Sequence, residues 1–313
     1  MKSRFRISNI CKMSAMMKAI VFLITFVGLT GGEMSLAQVD SSQFYSQKAT
    51  EYFQQKNYSQ ALRAVDRALA FSPENADFLV QRGIINGAWG RYEDAVKDFS
   101  VAIALDQTIT DAYYSRGLAR ERSGKIEEAI NDYTLTISVD SQYAPAYYNR
   151  GILHFNKGLY DSAINDFLDA VRLNPTNAHA FLNLGHAYRQ KINDEMAERN
   201  YTRAAELNPS YAEAFYSRGQ VRYDLKKYAA AAEDFKQASI LKPQMANAFY
   251  NLGATYEWMK KYDDALAAFQ DYLKHAPKED FERIEFVREK MKDIERKKSG
   301  VPSDAPLAPT IKR

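Results

Sequence analysis

Two stretches of this sequence repeat one another: AYYNRGILHFNKGLYDSAINDFLDAVRLNPTN, residues 146–177, and AFYSRGQVRYDLKKYAAAAEDFKQASILKPQM, residues 214–245. Their first residues are 68 positions apart (214 minus 146), which is twice 34. A period of this length is typical of solenoids, in which each unit buries its apolar face against its neighbours. Seven consecutive copies fit this register with no insertion: 42–75, 76–109, 110–143, 144–177, 178–211, 212–245 and 246–279.

A few positions of the repeat keep one kind of side chain, counting residue 42 as position 1. Position 20 is always alanine, and position 24 is aromatic in every copy except the first, which has Val65. Glycine in a helix interior costs about 1 kcal/mol relative to alanine, so a recurrent glycine at position 8 predicts that another backbone passes close to it. Position 8 is Ala49, Gly83, Gly117, Gly151, Gly185, Gly219 and Gly253.

This pattern resembles the tetratricopeptide repeat, a helix–turn–helix unit of 34 residues, over about three-quarters of the chain. The resemblance implies an all-α fold, a right-handed superhelical solenoid of seven such units with a concave groove. Residues 279–298 are expected to form a C-terminal capping helix, because their apolar residues share one helical face. Residues 38–41 are a short lead-in, and residues 299–313 (SGVPSDAPLAPTIKR) are typical of a disordered tail.

The N-terminus has the features of a secretory signal peptide. Basic residues up to Lys18 precede an apolar stretch, residues 19–30 (AIVFLITFVGLT), which a small-residue site ending at Ala37 follows. We expect residues 1–37 to be cleaved after Ala37 and the rest of the chain to be exported, as a periplasmic or secreted bacterial protein. The alternative is an uncleaved membrane anchor, although this stretch falls short of the roughly 20 apolar residues that span a bilayer.

The charge balance argues against nucleic acid as a partner. The chain has 42 basic and 39 acidic residues, but five of the bases and one of the acids lie in residues 1–37. The remaining 276 residues therefore carry a net charge of −1 by the same count, 37 bases against 38 acids. A nucleic-acid-binding protein usually shows a basic patch or stripe, and only a short basic run at 296–298 stands out after residue 37.

A second pattern predicts ion pairs between the two helices of a repeat. Four copies have arginine at position 7, and the same four have aspartate at position 23. A planar guanidinium can bind a carboxylate through two bonds, so we expect partly buried pairs with a structural role. The alternative is independent surface charges. The expected pairs are Arg82 with Asp98, Arg116 with Asp132, Arg150 with Asp166 and Arg218 with Asp234.

The sequence offers no catalytic constellation, so we do not expect an enzyme or a cofactor. The only cysteine, Cys11, precedes the apolar stretch, and no glycine-rich phosphate loop or zinc-protease motif is present. His179 and His186 could share one helical face, but two histidines alone rarely make a zinc site. We predict no metal site.

The resemblance places the first helix of each repeat along the concave groove, chiefly through six groove positions of the repeat: 2, 5, 6, 9, 12 and 13. Aromatic side chains offer large contact areas, and amides can both donate to and accept from a peptide. Alternatively, the tyrosines pack against adjacent helices. Lysine is absent from the groove positions, which argues against the family's clamp for a terminal carboxylate. The expected peptide-binding residues are Tyr114, Tyr148, Asn149, Phe155, Asn183, Arg189, Tyr216, Tyr223, Tyr250, Asn251 and Trp258.

These features together favour a scaffold that binds a protein or peptide in its concave groove in the cell envelope. The alternative is a membrane-anchored structural subunit of an envelope assembly that uses the array ends or the convex face; a membrane contact requires the N-terminal segment to remain uncleaved. One irregularity stays open: Ile192-Asn193-Asp194 replaces the usual glycine-containing turn of repeat five. This change either loosens the stack or has no consequence.

Overall fold

The computed structural model describes residues 41–299, in which fifteen α-helices and no β-strand are present. The predicted signal peptide and most of the predicted tail lie outside the described residues. Among the helices of residues 41–299, none combines the length and hydropathy that crossing a membrane requires.

Fourteen of the helices form seven antiparallel pairs, one pair for each 34-residue unit, and the fifteenth follows the last pair. We call the members of a pair its first and second helix. The helices are α1 Ser41–Gln54, α2 Tyr58–Phe71, α3 Ala76–Ala88, α4 Tyr92–Leu105, α5 Thr110–Arg122, α6 Ile126–Val139, α7 Ala144–Asn156, α8 Tyr160–Leu173, α9 Ala178–Gln190, α10 Asp194–Leu207, α11 Ala212–Asp224, α12 Tyr228–Leu241, α13 Ala246–Trp258, α14 Tyr262–His275 and α15 Phe281–Lys298.

Position 15 of every repeat closes the turn between the two helices in the left-handed backbone region. Glycine occupies it in three repeats, but repeat five has Ile192 there, at φ 57°. The next residue, Asn193, accepts a hydrogen bond from the backbone N–H of Met196 and caps α10. The turn of repeat five therefore keeps the geometry of the others, despite its different sequence.

The glycine at position 8 faces an aromatic ring, so our expectation of a close backbone was wrong. A Cβ atom on Gly151 would lie 2.8 Å from Cε1 of Phe167, which is position 24 of the same repeat. The first repeat supports this explanation, because it has the converse combination of residues. It has Val65 instead of a ring, and there position 8 carries the methyl group of Ala49. Both residues are fully buried.

The core runs along the array between first and second helices. The alanine at position 20 is fully buried in every repeat, and so is the side chain at position 24 in nearly every one. Small and large residues thus alternate at fixed places, which lets each helix pair close tightly without voids. Stacked pairs continue the same core from one repeat to the next.

Helix α15 closes the C-terminal end of the array. Its apolar face is the expected one: Val287 and Ile294 are fully buried, and Met291 packs against the same cluster. The helix also carries a buried cation, since Lys290 is only 1% exposed and its ammonium lies 2.7 Å from a carboxylate oxygen of Glu257 in α13. Removing Glu257 would leave the buried ammonium of Lys290 unpaired, which is strongly destabilising.

Candidate binding surface on the first helices

The first helices of neighbouring repeats touch through a ladder of hydrogen bonds. At three junctions, an asparagine at position 6 donates its side-chain N–H to the hydroxyl of a tyrosine at position 5 of the preceding repeat. These contacts join the first helices of repeats three, four and five to one another, and those of repeats six and seven. The pairs are Asn149 with Tyr114 at 3.0 Å, Asn183 with Tyr148 at 3.0 Å, and Asn251 with Tyr216 at 3.2 Å.

The sequence contains a signal for this ladder that our sequence analysis missed. Where position 5 is aliphatic, as at Val80 and Leu182, position 6 of the next repeat is a serine instead of an amide. At the first junction, Ser46 donates to the side-chain oxygen of Gln81 at 3.0 Å. The residues at positions 5 and 6 therefore vary together across junctions because they contact each other.

The ladder tyrosines keep their protons at neutral pH. Burial raises the pKa of Tyr114 to about 12, against a usual value near 10. Burial also raises the pKa values of Tyr148 and Tyr216. Each hydroxyl accepts from an asparagine, and its own O–H remains a donor that a ligand could use.

Arg189 is the only expected groove residue with a positive charge, and it is already bound. It donates to the side-chain oxygen of Gln220 at 2.8 Å and to a carboxylate oxygen of Asp224 at 3.0 Å. Burial, followed by the charge of Arg189, lowers the pKa of the nearby His186 to about 4. Its Nδ1 lies 2.8 Å from the hydroxyl of Tyr201. In this part of the surface, the polar side chains therefore bond to one another.

The remaining aromatic residues lie where the first helices end. Phe155 packs edge-on against Tyr160, and Tyr223 packs edge-on against Tyr228. Trp258 stacks on Tyr228 with the two ring centroids 6.0 Å apart, and it stays 53% exposed. All three residues are partly open to solvent, so they fit a place at the edge of a binding surface.

Two of the expected groove residues are not on an open surface. Tyr250 and Asn251 are each 2% exposed. Arg283 of α15 holds its guanidinium 4.6 Å from the centroid of the Tyr250 ring, and Asn251 donates to Tyr216. Listing these two side chains as ligand contacts was wrong, because position 5 of the last repeat packs against the capping helix just as other repeats pack against their successors.

All four expected arginine–aspartate pairs are present, and their aspartates are buried. The distances between guanidinium nitrogen and carboxylate oxygen are 2.6 Å for Arg82–Asp98, 2.8 Å for Arg116–Asp132, 2.7 Å for Arg150–Asp166 and 2.7 Å for Arg218–Asp234.

Position 11 supplies each of these aspartates with a second partner that the sequence analysis missed. The contacts come from Asn86, Arg120, His154 and Arg222. The arginines also reach across a junction; Arg150, for example, donates to the hydroxyl of Thr134 in the preceding repeat at 2.9 Å. The pairs therefore hold neighbouring repeats together as well as the helices of one repeat.

No cluster of histidine, cysteine, aspartate and glutamate that could hold a metal ion exists within residues 41–299. His179, one of the two histidines considered for such a site, has its Nδ1 2.6 Å from the hydroxyl of Tyr211. His186 contacts Tyr201 instead.

Family models described as tetratricopeptide repeat match residues 46–108, 110–143, 144–177, 178–211 and 246–279, and one described as TPR repeat matches residues 219–259. Four of these matches begin and end where repeats three, four, five and seven do. No curated protein matches this chain.

Solved structures of similar proteins agree with the fold. The structure of YrrB, described as a TPR protein with an unusual peptide-binding site, is 26% identical, with a TM-score of 0.53 over 57% of this chain and 93% of that one. A MamA structure is 25% identical, with a TM-score of 0.51 over 56% and 95%. The C-terminal part of a repeat protein from Cytophaga hutchinsonii is 20% identical, with a TM-score of 0.62 over 74% and 95%.

Proposed function

Because the chain belongs to the tetratricopeptide repeat family, we propose that it is a scaffold that binds a protein or peptide partner on the surface of its first helices. The observation that carries this proposal is the row of contacts between the first helices of repeats three to seven. Ladder bonds join them at three junctions, and Arg189 joins repeats five and six through Gln220 and Asp224. Tyr114, Tyr148 and Tyr216 are half-buried there, and their hydroxyls retain a hydrogen to donate. Aromatic residues of this kind are enriched where proteins bind partners.

The similarity to YrrB supports a peptide as the class of ligand, since that protein's structure is described as having a peptide-binding site. Binding, and not catalysis, is the role that this surface suits. The tyrosines and amides can orient a polypeptide, whereas Arg189 and His186 are held in internal contacts.

We further propose that the protein works in the cell envelope after export. The support is the basic, apolar and small-residue order of residues 1–37. The intact mass of the chain recovered from cells tests this point. A mass that begins at Gln38 supports export with cleavage, and a mass that retains residues 1–37 in the membrane fraction supports the anchored alternative.

A pull-down from envelope extract with the full chain, tagged at its C-terminus, tests the binding surface. The variant Tyr148→Ala/Asn183→Ala removes both partners of one ladder bond, so it leaves no buried polar group alone. The matched control, Leu168→Ala/Asp169→Ala, changes the exposed side of the second helix in repeat four.

We expect a partner to be captured by the original chain and by the control but lost by the ladder variant, with helical content unchanged by circular dichroism. If the control loses the partner and the ladder variant keeps it, the second helices carry the contacts and the proposal is wrong.

A further inference from the structure

The two halves of the first-helix surface differ at position 9. In repeats two to four this position is Ile84, Leu118 and Ile152, which are all half-buried. In repeats five and six it is His186 and Gln220, whose side chains take part in the polar contacts around Arg189. We call Ile84, Leu118 and Ile152 the aliphatic strip.

The residues of the aliphatic strip pack against the core clusters of their own repeats. Ile84 packs against Ala95 and Phe99, and Leu118 packs against the cluster of Tyr133. Ile152 packs in the same way against the next cluster along the array. The strip is therefore a rigid apolar surface that faces away from the core on its open side.

The charges beside the two halves also differ. Near the strip, Asp111 accepts from the hydroxyl of Tyr143 and Glu121 accepts from the hydroxyl of Tyr133, each at 2.7 Å. Both partners are neutral phenols, so neither contact is an ion pair. Asp77, at position 2 of repeat two, adds a third acid.

At the groove positions of repeats two to four, the three acids Asp77, Asp111 and Glu121 outnumber the single cation, Arg122. The acids of the later repeats face cations instead. Lys242 contacts Glu213, Arg189 contacts Asp224, and two lysines of α15 contact Glu257.

On the basis of the proposed function, we infer that repeats two to four bind a basic amphipathic α-helix. The apolar side chains of this helix lie on the aliphatic strip, and its lysines or arginines lie toward Asp77, Asp111 and Glu121. Asn149 and Asn183 each use one side-chain N–H on a tyrosine, so part of the hydrogen-bonding capacity of the surface is taken, and a helix, which makes its own backbone hydrogen bonds, needs less of it than an extended peptide does. Helices that pack together lie about 10 Å apart, and a helix advances about 10 Å in seven residues, so apolar residues at heptad spacing match the strip.

The test uses two 18-residue fluorescent peptides and the full chain, with affinity measured by fluorescence anisotropy at low and physiological salt. One peptide has leucine on one helical face and lysine elsewhere, and the other has glutamate in place of lysine. We expect the lysine peptide to bind at least tenfold more tightly than the glutamate peptide, and to lose affinity as salt screens the charges.

Two variants locate the site without removing hydrogen-bond acceptors. Asp111→Asn/Glu121→Gln removes two charges beside the strip, and Glu213→Gln/Asp224→Asn removes two from the later repeats. An exposed charge pair contributes up to about 1 kcal/mol, so we expect the first variant to weaken lysine-peptide binding about fivefold. The second should change it less than twofold.

Leu118→Gln, checked for helical content and thermal midpoint, should also weaken binding, because it puts an amide in the strip. Equal losses in the two charge variants, equal binding of both peptides, unchanged binding by Leu118→Gln, or no binding of the lysine peptide would each overturn the inference. A pull-down partner that is lost in the ladder variant would meanwhile leave the proposed function standing.

Discussion

Repeats four and five are neighbours that solve the same packing problem with different chemistry. In repeat four, the buried Asp166 receives hydrogen bonds from Arg150 and lies 2.8 Å from Nδ1 of His154. In repeat five the equivalent positions are Leu184, which is buried, and Asn200, which donates to the backbone oxygen of Met196. Both repeats have the same two helices and the same turn, so the fold does not depend on the charged set.

The comparison shows that the same pair of helices can pack either with a buried arginine–aspartate pair or with uncharged residues at those positions. A buried ion pair adds little to stability compared with apolar residues of similar volume, although removing one partner is strongly destabilising. The turns differ in the same way. Gly158 closes repeat four and Ile192 closes repeat five, in the same left-handed conformation.

The largest expected effect comes from Asp166→Ala. It leaves the guanidinium of Arg150 without its carboxylate in a site where that side chain is mostly buried, so we expect a loss of about 3 to 5 kcal/mol in the free energy of unfolding. Urea denaturation followed by circular dichroism measures it.

The repeat-five residues placed in repeat four provide the matched variant, Arg150→Leu/His154→Tyr/Asp166→Asn. We expect the free energy of unfolding of this variant to be within about 2 kcal/mol of that of the original chain, because an uncharged interior replaces the charged one and leaves no buried charge unpaired. If it is as unstable as Asp166→Ala, the two interiors are not interchangeable and the link from Arg150 to Thr134 holds the array together.

The next effect tests what repeats four and five share. Gly151→Ala puts a methyl group against the ring of Phe167, and Gly185→Ala puts one against Tyr201, where a Cβ would lie 2.6 Å from the ring. We expect each change to lower the free energy of unfolding by about 1 to 3 kcal/mol through overpacking, as measured by the same urea denaturation.

Repeat one supplies the compensating change, because it pairs alanine with valine at these positions. In a double-mutant cycle, Gly151→Ala and Phe167→Val should be favourably coupled by about 1 kcal/mol or more. Simple additivity would show that the ring does not oppose the methyl group.

The smallest effect concerns the turns. Ile192 is 85% exposed and left-handed, so Ile192→Gly removes a steric penalty of about 1 kcal/mol without uncovering buried surface. We expect a higher thermal midpoint for this variant and a lower one for the converse change, Gly158→Ile. No shift in either would mean that the turn tolerates a branched residue and the difference between the two repeats is neutral.

Much of the architecture was predictable because it depends on spacing along the chain. The 34-residue register follows from alanine and aromatic residues at fixed intervals, and α1 to α14 follow that register. The arginine–aspartate pairs were also predictable, since positions 7 and 23 change together within one repeat and lie on its two facing helices.

The contacts that side chains make on the binding surface were harder to predict from the same pattern. Tyr148 and Asn183 were expected to face a ligand, but they bond to each other across a junction. The family's groove positions describe the direction in which a side chain leaves its helix. They do not say how much of that side chain the next repeat buries. The extent of this burial depends on how neighbouring repeats pack against each other.

The sequence by itself determined the repeat, the helix pairs, the ion pairs within a repeat and the capping face of α15, because each rests on local periodicity. Only the tertiary structure decided that an aromatic ring and not a backbone excludes a side chain at Gly151, and that α15 buries Tyr250. It also decided that the acids beside Leu118 contact tyrosine hydroxyls, whereas acids farther along contact cations. These outcomes depend on contacts between side chains that are far apart in sequence, whose positions are set when the stacked repeats fill space together.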